Sequence, residues 1–327
     1  MTISRRTLIT AAGGLAGGLL LTRPARAAFP DRFIRFVVPF AAGGNADTVA
    51  RLVGQGMTEQ LGQPIVVENR PGAGGSIGAE LVARSTPDGY TILIGPNGPL
   101  VNNQFIQAKV GYETLKDFMP IGLTGIVPHA LVVTPSLPVK SVAEFVALSK
   151  SSPIEVATSG YGSATHFTLE RFIAKTGANV VHVPYRSGGA LMPDLIGGSA
   201  RAAMTEFSIP LPLHVDGKVR ILAIGAEKRS SLAPDVQTMI EAGVPDFIAG
   251  SYVALLVPAA TPSDVVDRLQ GALAKALASK LVLDQFAKLG IDVVTPDLMT
   301  PTGVIAFLKN DLELCREAAK VSGMKPN

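Results

Sequence analysis

Ile34-Arg35-Phe36-Val37-Val38-Pro39-Phe40-Ala41-Ala42-Gly43-Gly44-Asn45-Ala46-Asp47 decides how this chain is to be read. Ile34 to Val38 is a short apolar, β-branched run, the composition of a buried strand. Behind it, Asp47 to Leu61 carries Val49, Leu52, Val53, Met57 and Leu61 on one stripe of helical period, and Gly62 stands where a helix stop belongs. Between the two lies a glycine-rich turn. A strand that feeds through glycines into a helix lines up successive backbone N–H groups at the positive helix end, an anion site that needs no cationic side chain. Gly43 and Gly44 let a ligand approach the backbone closely. The alternative at this point is a tight turn with Asp47 as the helix cap.

Outward from this unit the same alternation continues. Ile65 to Val67 and Thr91 to Ile94 read as strands and Ile77 to Arg84 as a helix. Glu155 to Thr158 is a further strand. It leads through Ser159-Gly160-Tyr161-Gly162-Ser163-Ala164-Thr165-His166 into a helix from about Thr165 to Lys175, a second glycine-rich loop between strand and helix. Asn179 to Val183, Ala200 to Thr205 and Arg220 to Ile224 read as strands, and Leu191 to Ile196 as a helix. After a late strand, Val253 to Val257, the chain turns mostly helical over Ser263 to Ala278, Lys280 to Leu289 and Pro301 to Val321, the last with Thr300 as cap. The pattern predicts an α/β fold of two largely parallel sheets flanked by helices, in two lobes. The expected division is residues 28–125 plus 252–327 for the first lobe and 126–251 for the second, two crossovers making a hinged cleft. The glycine loops facing each other across it, Phe40 to Asp47 and Ser159 to His166, would hold a carboxylate between two sets of amides. His166 either borders that ligand or is satisfied within the protein. Arg186, in Val183-Pro184-Tyr185-Arg186, follows another strand end and is a candidate for the pocket rim.

Composition removes several function classes. Of 327 residues, 47% are apolar and only 17% charged, against about 25% charged in average chains, which excludes disorder and a charge-driven nucleic-acid binder. With no Trp and no basic stripe there is no stacking platform for bases. Enzyme templates also fail. Gly72-Ala73-Gly74-Gly75-Ser76-Ile77-Gly78 places its last glycine one position late for a dinucleotide loop, and no phosphate-binding lysine follows. Ser163 lacks the flanking glycines of a hydrolase nucleophile elbow. His129, His166, His182 and His214 have no metal-ligand spacing, so neither a metal nor a cofactor is expected. The single cysteine, Cys315, excludes an intrachain disulfide and reads as a buried helix residue.

Met1 to Ala27 reads as an export signal, with a basic start, an apolar stretch from Ala11 to Leu21 and Ala25-Arg26-Ala27 as the cleavage site. The stretch would span about 16 Å as a helix, too short for a bilayer core of about 30 Å. Ser4-Arg5-Arg6-Thr7-Leu8-Ile9 matches a twin-arginine signal, the general secretory route being the alternative. No cysteine follows for a lipid anchor. The segment carries four arginines and no acids, so its removal takes the formal charge from +3 to about −1, and the basic balance says nothing about partners.

Together these residues resemble a known family, the periplasmic solute receptors of tripartite tricarboxylate transporters, often called Bug-type receptors. The resemblance runs from about Phe29 to the carboxyl terminus. It rests on the first loop, Glu68-Asn69-Arg70-Pro71-Gly72-Ala73-Gly74-Gly75, Pro87-Asp88-Gly89-Tyr90-Thr91, Lys116-Asp117-Phe118-Met119-Pro120, the second loop, His182-Val183-Pro184-Tyr185-Arg186, Asp194-Leu195-Ile196-Gly197-Gly198, Glu241-Ala242-Gly243 and Pro258-Ala259-Ala260-Thr261-Pro262, in that order. It implies a two-lobed periplasmic binding protein fold of type II-like form, closing on a small carboxylate that is handed to a membrane permease; the alternative reading delivers the same binding event to a membrane sensor protein. The expected protein is a monomer without nucleic acid, membrane anchor or covalent chemistry. Carried over by motif, the ligand contacts are Phe40, Ala42, Gly43, Gly44, Asn45 and Asp47 in the first loop and Ser159, Tyr161, Gly162, Ser163, Thr165 and His166 in the second. Asn97, Tyr185 and Glu206 are candidates for the distal part of the ligand. The chain departs from the family pattern at Ala41-Ala42, where a proline commonly precedes the glycine pair, and at Ser251-Tyr252, where a tryptophan is common. Glu206 would repel a second ligand carboxylate unless water, an amine or a hydroxyl intervenes.

Overall fold

A computed structural model describes residues 29–40 and 42–322. Met1 to Ala27, read above as an export signal, and Ala41 lie outside the described residues. In chain order the strands are β1 Ile34–Val38, β2 Ile65–Asn69, β3 Thr91–Pro96, β4 Phe118–Val133, β5 Ile154–Thr158, β6 Val180–Pro184, β7 Ala202–Glu206, β8 Arg220–Ile224, β9 Gly250–Pro258 and β10 Asp292–Val293. The helices are α1 Asn45–Leu61, α2 Ser76–Ala83, α3 Asn103–Ile106, α4 Thr114–Asp117, α5 Val142–Ser151, α6 Ala164–Thr176, α7 Gly188–Gly197, α8 Leu211–Val215, α9 Ser263–Leu277, α10 Lys280–Lys288 and α11 Pro301–Ser322. A wide helical turn, Gly98–Asn102, joins β3 to α3.

One sheet runs β2-β1-β3-β9-β4 and the other β6-β5-β7-β4, so β4 belongs to both. Its first part pairs with β9, from Phe118↔Pro258 to Pro128↔Gly250; its last five residues, His129 to Val133, pair with β7, and Ala130 to Val133 also pair with β8 on the other side. β1 is parallel to β2 and β3, and β5 to β6 and β7, as the alternating pattern predicts. The pairings of β4 and β9 are antiparallel, so each sheet is mixed, and a hydrogen-bonded two-strand ribbon carries both crossings.

Each sheet is buried on both faces, which explains why its strands read as continuous apolar runs. Side chains alternate with period two. Phe36, Ile92 and Leu255 face α1 and α9 through Val49, Val53, Leu269 and Leu273, whereas Val37, Leu93 and Leu256 face α2 and α11 through Val82, Val304, Leu308 and Leu312. In the other lobe Leu131, Val156 and Met204 share one core with Phe145 and Phe172, while Val132, Ala157 and Ala203 share the opposite one with Leu191 and Leu195. Phe167 of α6 joins the core beneath α11 and lies edge-on to Phe105 at 6.3 Å, so the lobes also meet behind the cleft. Cys315 is buried in α11, its thiol against Asn102 at 3.7 Å.

Candidate functional site

The carboxyl ends of β1, β3, β5, β6 and β7 open on one cavity of about 720 Å³ between the lobes, the position where open α/β sheets bind ligands. Its size is ordinary for a small-molecule site. Three helices begin at its wall: α1 through Gly44, Asn45 and Ala46, α6 through Ser163 and Ala164, and α7 through Ser187, Gly188 and Gly189. The first amides of a helix have no intrahelical acceptor, and the three macrodipoles turn their positive ends to one space.

Hydrogen bonding shows which loop groups remain for a ligand. In the first loop Gly43 adopts φ +84°, and its N–H donates to Asp47 Oδ2 at 2.9 Å. Asp47 is buried and also accepts Arg51 Nε at 3.0 Å and Asn69 Nδ2 at 3.0 Å. The Arg51 guanidinium holds its carboxyl down at about 2, with the Gly43 amide and Asn69 assisting against burial. Asp47 therefore fixes the loop from inside. Gly44 is the N-cap, and the amides of Asn45 and Ala46 begin the helix at the cavity.

The second loop uses most of its donors internally. Ser159 N–H donates to Thr165 Oγ1 at 3.0 Å, Gly160 N–H to Thr158 Oγ1 at 3.3 Å, Gly162 N–H to His166 Nδ1 at 3.0 Å and Ser163 N–H to Gly160 O at 3.2 Å. Ser163 Oγ caps α6 by accepting from His166 N–H at 3.2 Å. Among the groups bordering the cavity, Tyr161 and Ala164 keep amides that these bonds do not use. His166 is buried, stacks on His182 at 3.7 Å between centroids and approaches Glu170 at 3.3 Å.

Eleven residues anticipated as ligand contacts line the cavity: Phe40, Gly43, Gly44, Asn45, Asn97, Ser159, Tyr161, Gly162, Ser163, Arg186 and Glu206. Ala42 is exposed outside that lining. Asp47, Thr165, His166 and Tyr185 stand behind it. Tyr185 Oη donates to Asp194 Oδ2 at 2.6 Å, and that carboxylate holds the phenol up at about 12. Asn97 lines the cavity with its amide already engaged: Nδ2 donates to Gly250 O at 3.2 Å and Oδ1 accepts Tyr252 N–H at 3.0 Å, tying the end of β3 to β9.

A polar chain at the crossover has no sequence motif. Thr168 Oγ1 lies 2.7 Å from His129 Nδ1, His129 Nε2 lies 2.9 Å from Ser251 Oγ, and Ser251 Oγ donates to Glu206 Oε1 at 3.3 Å. Because an ionised carboxylate only accepts, Ser251 gives its proton to Glu206 and must accept from His129 Nε2–H. His129 is then neutral, with Nδ1 accepting from Thr168. Burial keeps it so, holding the imidazole down at about 3. A hydrolase pair has the opposite polarity, with serine donating to the imidazole and a carboxylate behind it; this Ser–His contact positions Glu206 and does not activate Ser251. Sequence reading also missed Ser187-Gly188-Gly189, although a glycine pair after a strand end was the signal that singled out the first loop.

Fold and cleft define a solute-binding protein of the periplasmic type. The family model of the tripartite tricarboxylate transporter family receptor matches residues 49–308, and the chain belongs to that family. Protein BugT of Bordetella pertussis is 35% identical over 300 residues, 91% of each chain. Among solved structures, periplasmic binding protein BugD shares 33% identity at a TM-score of 0.77, covering 91% of this chain and 100% of that one. An R. palustris protein solved with adipate shares 31% at 0.80, covering 91% and 100%. MatC from Rhodopseudomonas palustris with bound malate shares 32% at 0.77, covering 89% and 99%. Among the described residues no helix is long and apolar enough to cross a membrane.

Proposed function

We propose that this receptor is exported to the periplasm, captures a small carboxylate between its lobes and delivers it to the membrane permease of a tripartite tricarboxylate-type transporter. The observation that carries the carboxylate is the convergence of the α1 and α6 N-termini on one interlobe cavity, beside Arg186. Relatives solved with malate and with adipate support the ligand class. The ligand carboxylate takes the amides of Gly44, Asn45 and Ala46 from one lobe and those of Tyr161 and Ala164 from the other. Asp47, Thr165 and His166 hold those loops in shape. The lobes divide at 28–125 plus 252–327 and 126–251, a reading supported by the exchange of β4 from β9 to β7 and β8 at Pro128 and His129. Closure about the β4–β9 ribbon buries the ligand and creates the surface that a permease would read.

Thermal unfolding against a panel of carboxylates, sugars and cationic solutes tests this. A ligand that binds only the folded state adds about 2.7 kcal/mol at 100 times its Kd. A rise in midpoint confined to carboxylates is expected; a rise with sugars or cations alone would overturn the proposal.

A further inference from the structure

Among the described residues Glu206 is the one acidic side chain that lines the cavity, and Arg186 the one basic side chain. Arg186 follows β6 and Glu206 ends β7. These two strands flank β5, which sets their ends about two strand spacings, ~10 Å, apart. The Glu206 carboxylate is held in place by three hydroxyls: Ser159 and Thr205 donate to Oε2 and Ser251 to Oε1, each at 3.3 Å. A carboxylate offers about four acceptor positions, so room for one more donor remains.

Among the described residues no Lys, Arg or His nitrogen lies within 4.0 Å of Glu206. The start of α7 gives partial compensation, because a Cβ at Gly188 would stand 3.0 Å from Glu206 Oε2. A helix N-terminus carries only about half a positive charge. The hydroxyl contacts are long and neutral. When the cleft closes, a ligand ammonium would supply at Glu206 the full positive charge that the hydroxyls and the helix end do not, whereas a neutral donor would add only a hydrogen bond.

We infer that the ligand is a carboxylate that also carries a cationic amine, with the amine seated on Glu206 between Ser159 and Ser251 while the carboxylate takes the amides of α1 and α6. The inference rests on the carboxylate-receptor reading and narrows it. Selection works in both directions: an ammonium group completes the charge at Glu206, and a second carboxylate placed there is repelled. A hydroxyl offers a hydrogen bond but no charge and falls between.

Calorimetric titration of the purified protein with matched pairs tests the assignment: L-aspartate and succinate, L-glutamate and glutarate, β-alanine and propionate, with L-malate as the hydroxyl control. In at least one pair the amine-bearing member is expected to bind tenfold or more tighter than its partner, with L-malate no tighter than L-aspartate. In Glu206→Gln that ratio is expected to fall to about threefold or less. The ratio within each wild-type pair needs no variant and stands if the substitution harms folding. Amine-free members binding as tightly as their partners would overturn the inference and leave the receptor reading intact. The same follows if every pair is silent while another carboxylate such as benzoate binds, or if the preference survives in Glu206→Gln. Silence toward every carboxylate would overturn both.

Discussion

Gly162 separates the cost of an unusual backbone from the cost of closing the cleft. It sits in the second loop at φ +71°, its carbonyl accepts Asn102 Nδ2 from the other lobe at 3.2 Å, and a Cβ built there would meet Ile106 Cδ1 at 2.1 Å. Rotating Cδ1 away leaves Cγ1 and Cγ2 of the β-branched Ile106 at 3.2 and 3.3 Å, so the overlap is reduced and not removed. Gly162→Ala therefore acts twice. The left-handed backbone costs roughly 1–2 kcal/mol whether the lobes are together or apart, and appears as a lower unfolding midpoint. The overlap with Ile106 costs about 1–3 kcal/mol, the range for overpacking, and under the proposed closure it falls on the closed state, so it appears in affinity. At about 1.4 kcal/mol per decade, Kd for a carboxylate rises about 5- to 150-fold. The double variant Gly162→Ala with Ile106→Ala should recover most of the affinity and none of the backbone cost. Calorimetric titration reads the first quantity and urea unfolding the second. An unchanged Kd in the single variant, or no recovery in the double variant, would refute the reasoning.

Other substitutions read other parts of the site. Asn97→Ala orphans Gly250 O and Tyr252 N–H in the ribbon and is expected to cost about 2–3 kcal/mol in urea unfolding, a loss under about 0.5 kcal/mol refuting the role. Arg186 is exposed and forms no ion pair among the described residues; Arg186→Gln should leave the unfolding midpoint in place, weaken carboxylate binding several-fold and flatten its salt dependence, and unaltered salt dependence would remove Arg186 from the site. Burial holds His129 at about 3 against 6.5 in the unfolded chain, so the unfolded chain takes up the proton first as pH falls. Its contribution is complete above pH 6.5 and is lost on the way down to 3, roughly 3 kcal/mol of it by pH 4.5. His129→Gln should flatten the slope of stability between pH 6.5 and 4.5, and coincident slopes would contradict a buried neutral imidazole.

What the sequence disclosed follows from how local each cause is. The unit from Ile34 to Leu61 was legible because a five-residue apolar run, a glycine turn and a helical stripe are each set by neighbours in the chain. The 16-residue β4 was not, since Pro120, Gly122, Gly125 and Pro128 punctuate it like a loop. Its pairing shifts register between Pro120 and Gly122 and between Leu123 and Gly125, and a Cβ at Gly125 would meet Ile291 Cγ2 at 2.6 Å, so one of these breaks is a packing requirement from a residue far along the chain. At the site, the glycines and Ser163 were found because they belong to a strand-to-helix turn. Asp47, Thr165 and His166 have the right chemistry for a ligand, yet they satisfy the loop's own amides, and composition cannot tell these uses apart. His129, Ser251 and Thr168 come from three distant segments whose meeting is a property of the sheet order.

That sheet order also governs the sequence of assembly. β9 fills the place between β3 and β4 and is made only after the whole of the second lobe. Until Gly250–Pro258 emerges, the first lobe carries a gap one strand wide with an unpaired edge on each side, while every strand of the second lobe is already present. The nascent chain is thus expected to complete its later lobe first, and a chain ending before Gly250 keeps two adhesive edges open to other chains. The strand about which closure is proposed to turn is also the last strand needed to complete the first lobe's sheet.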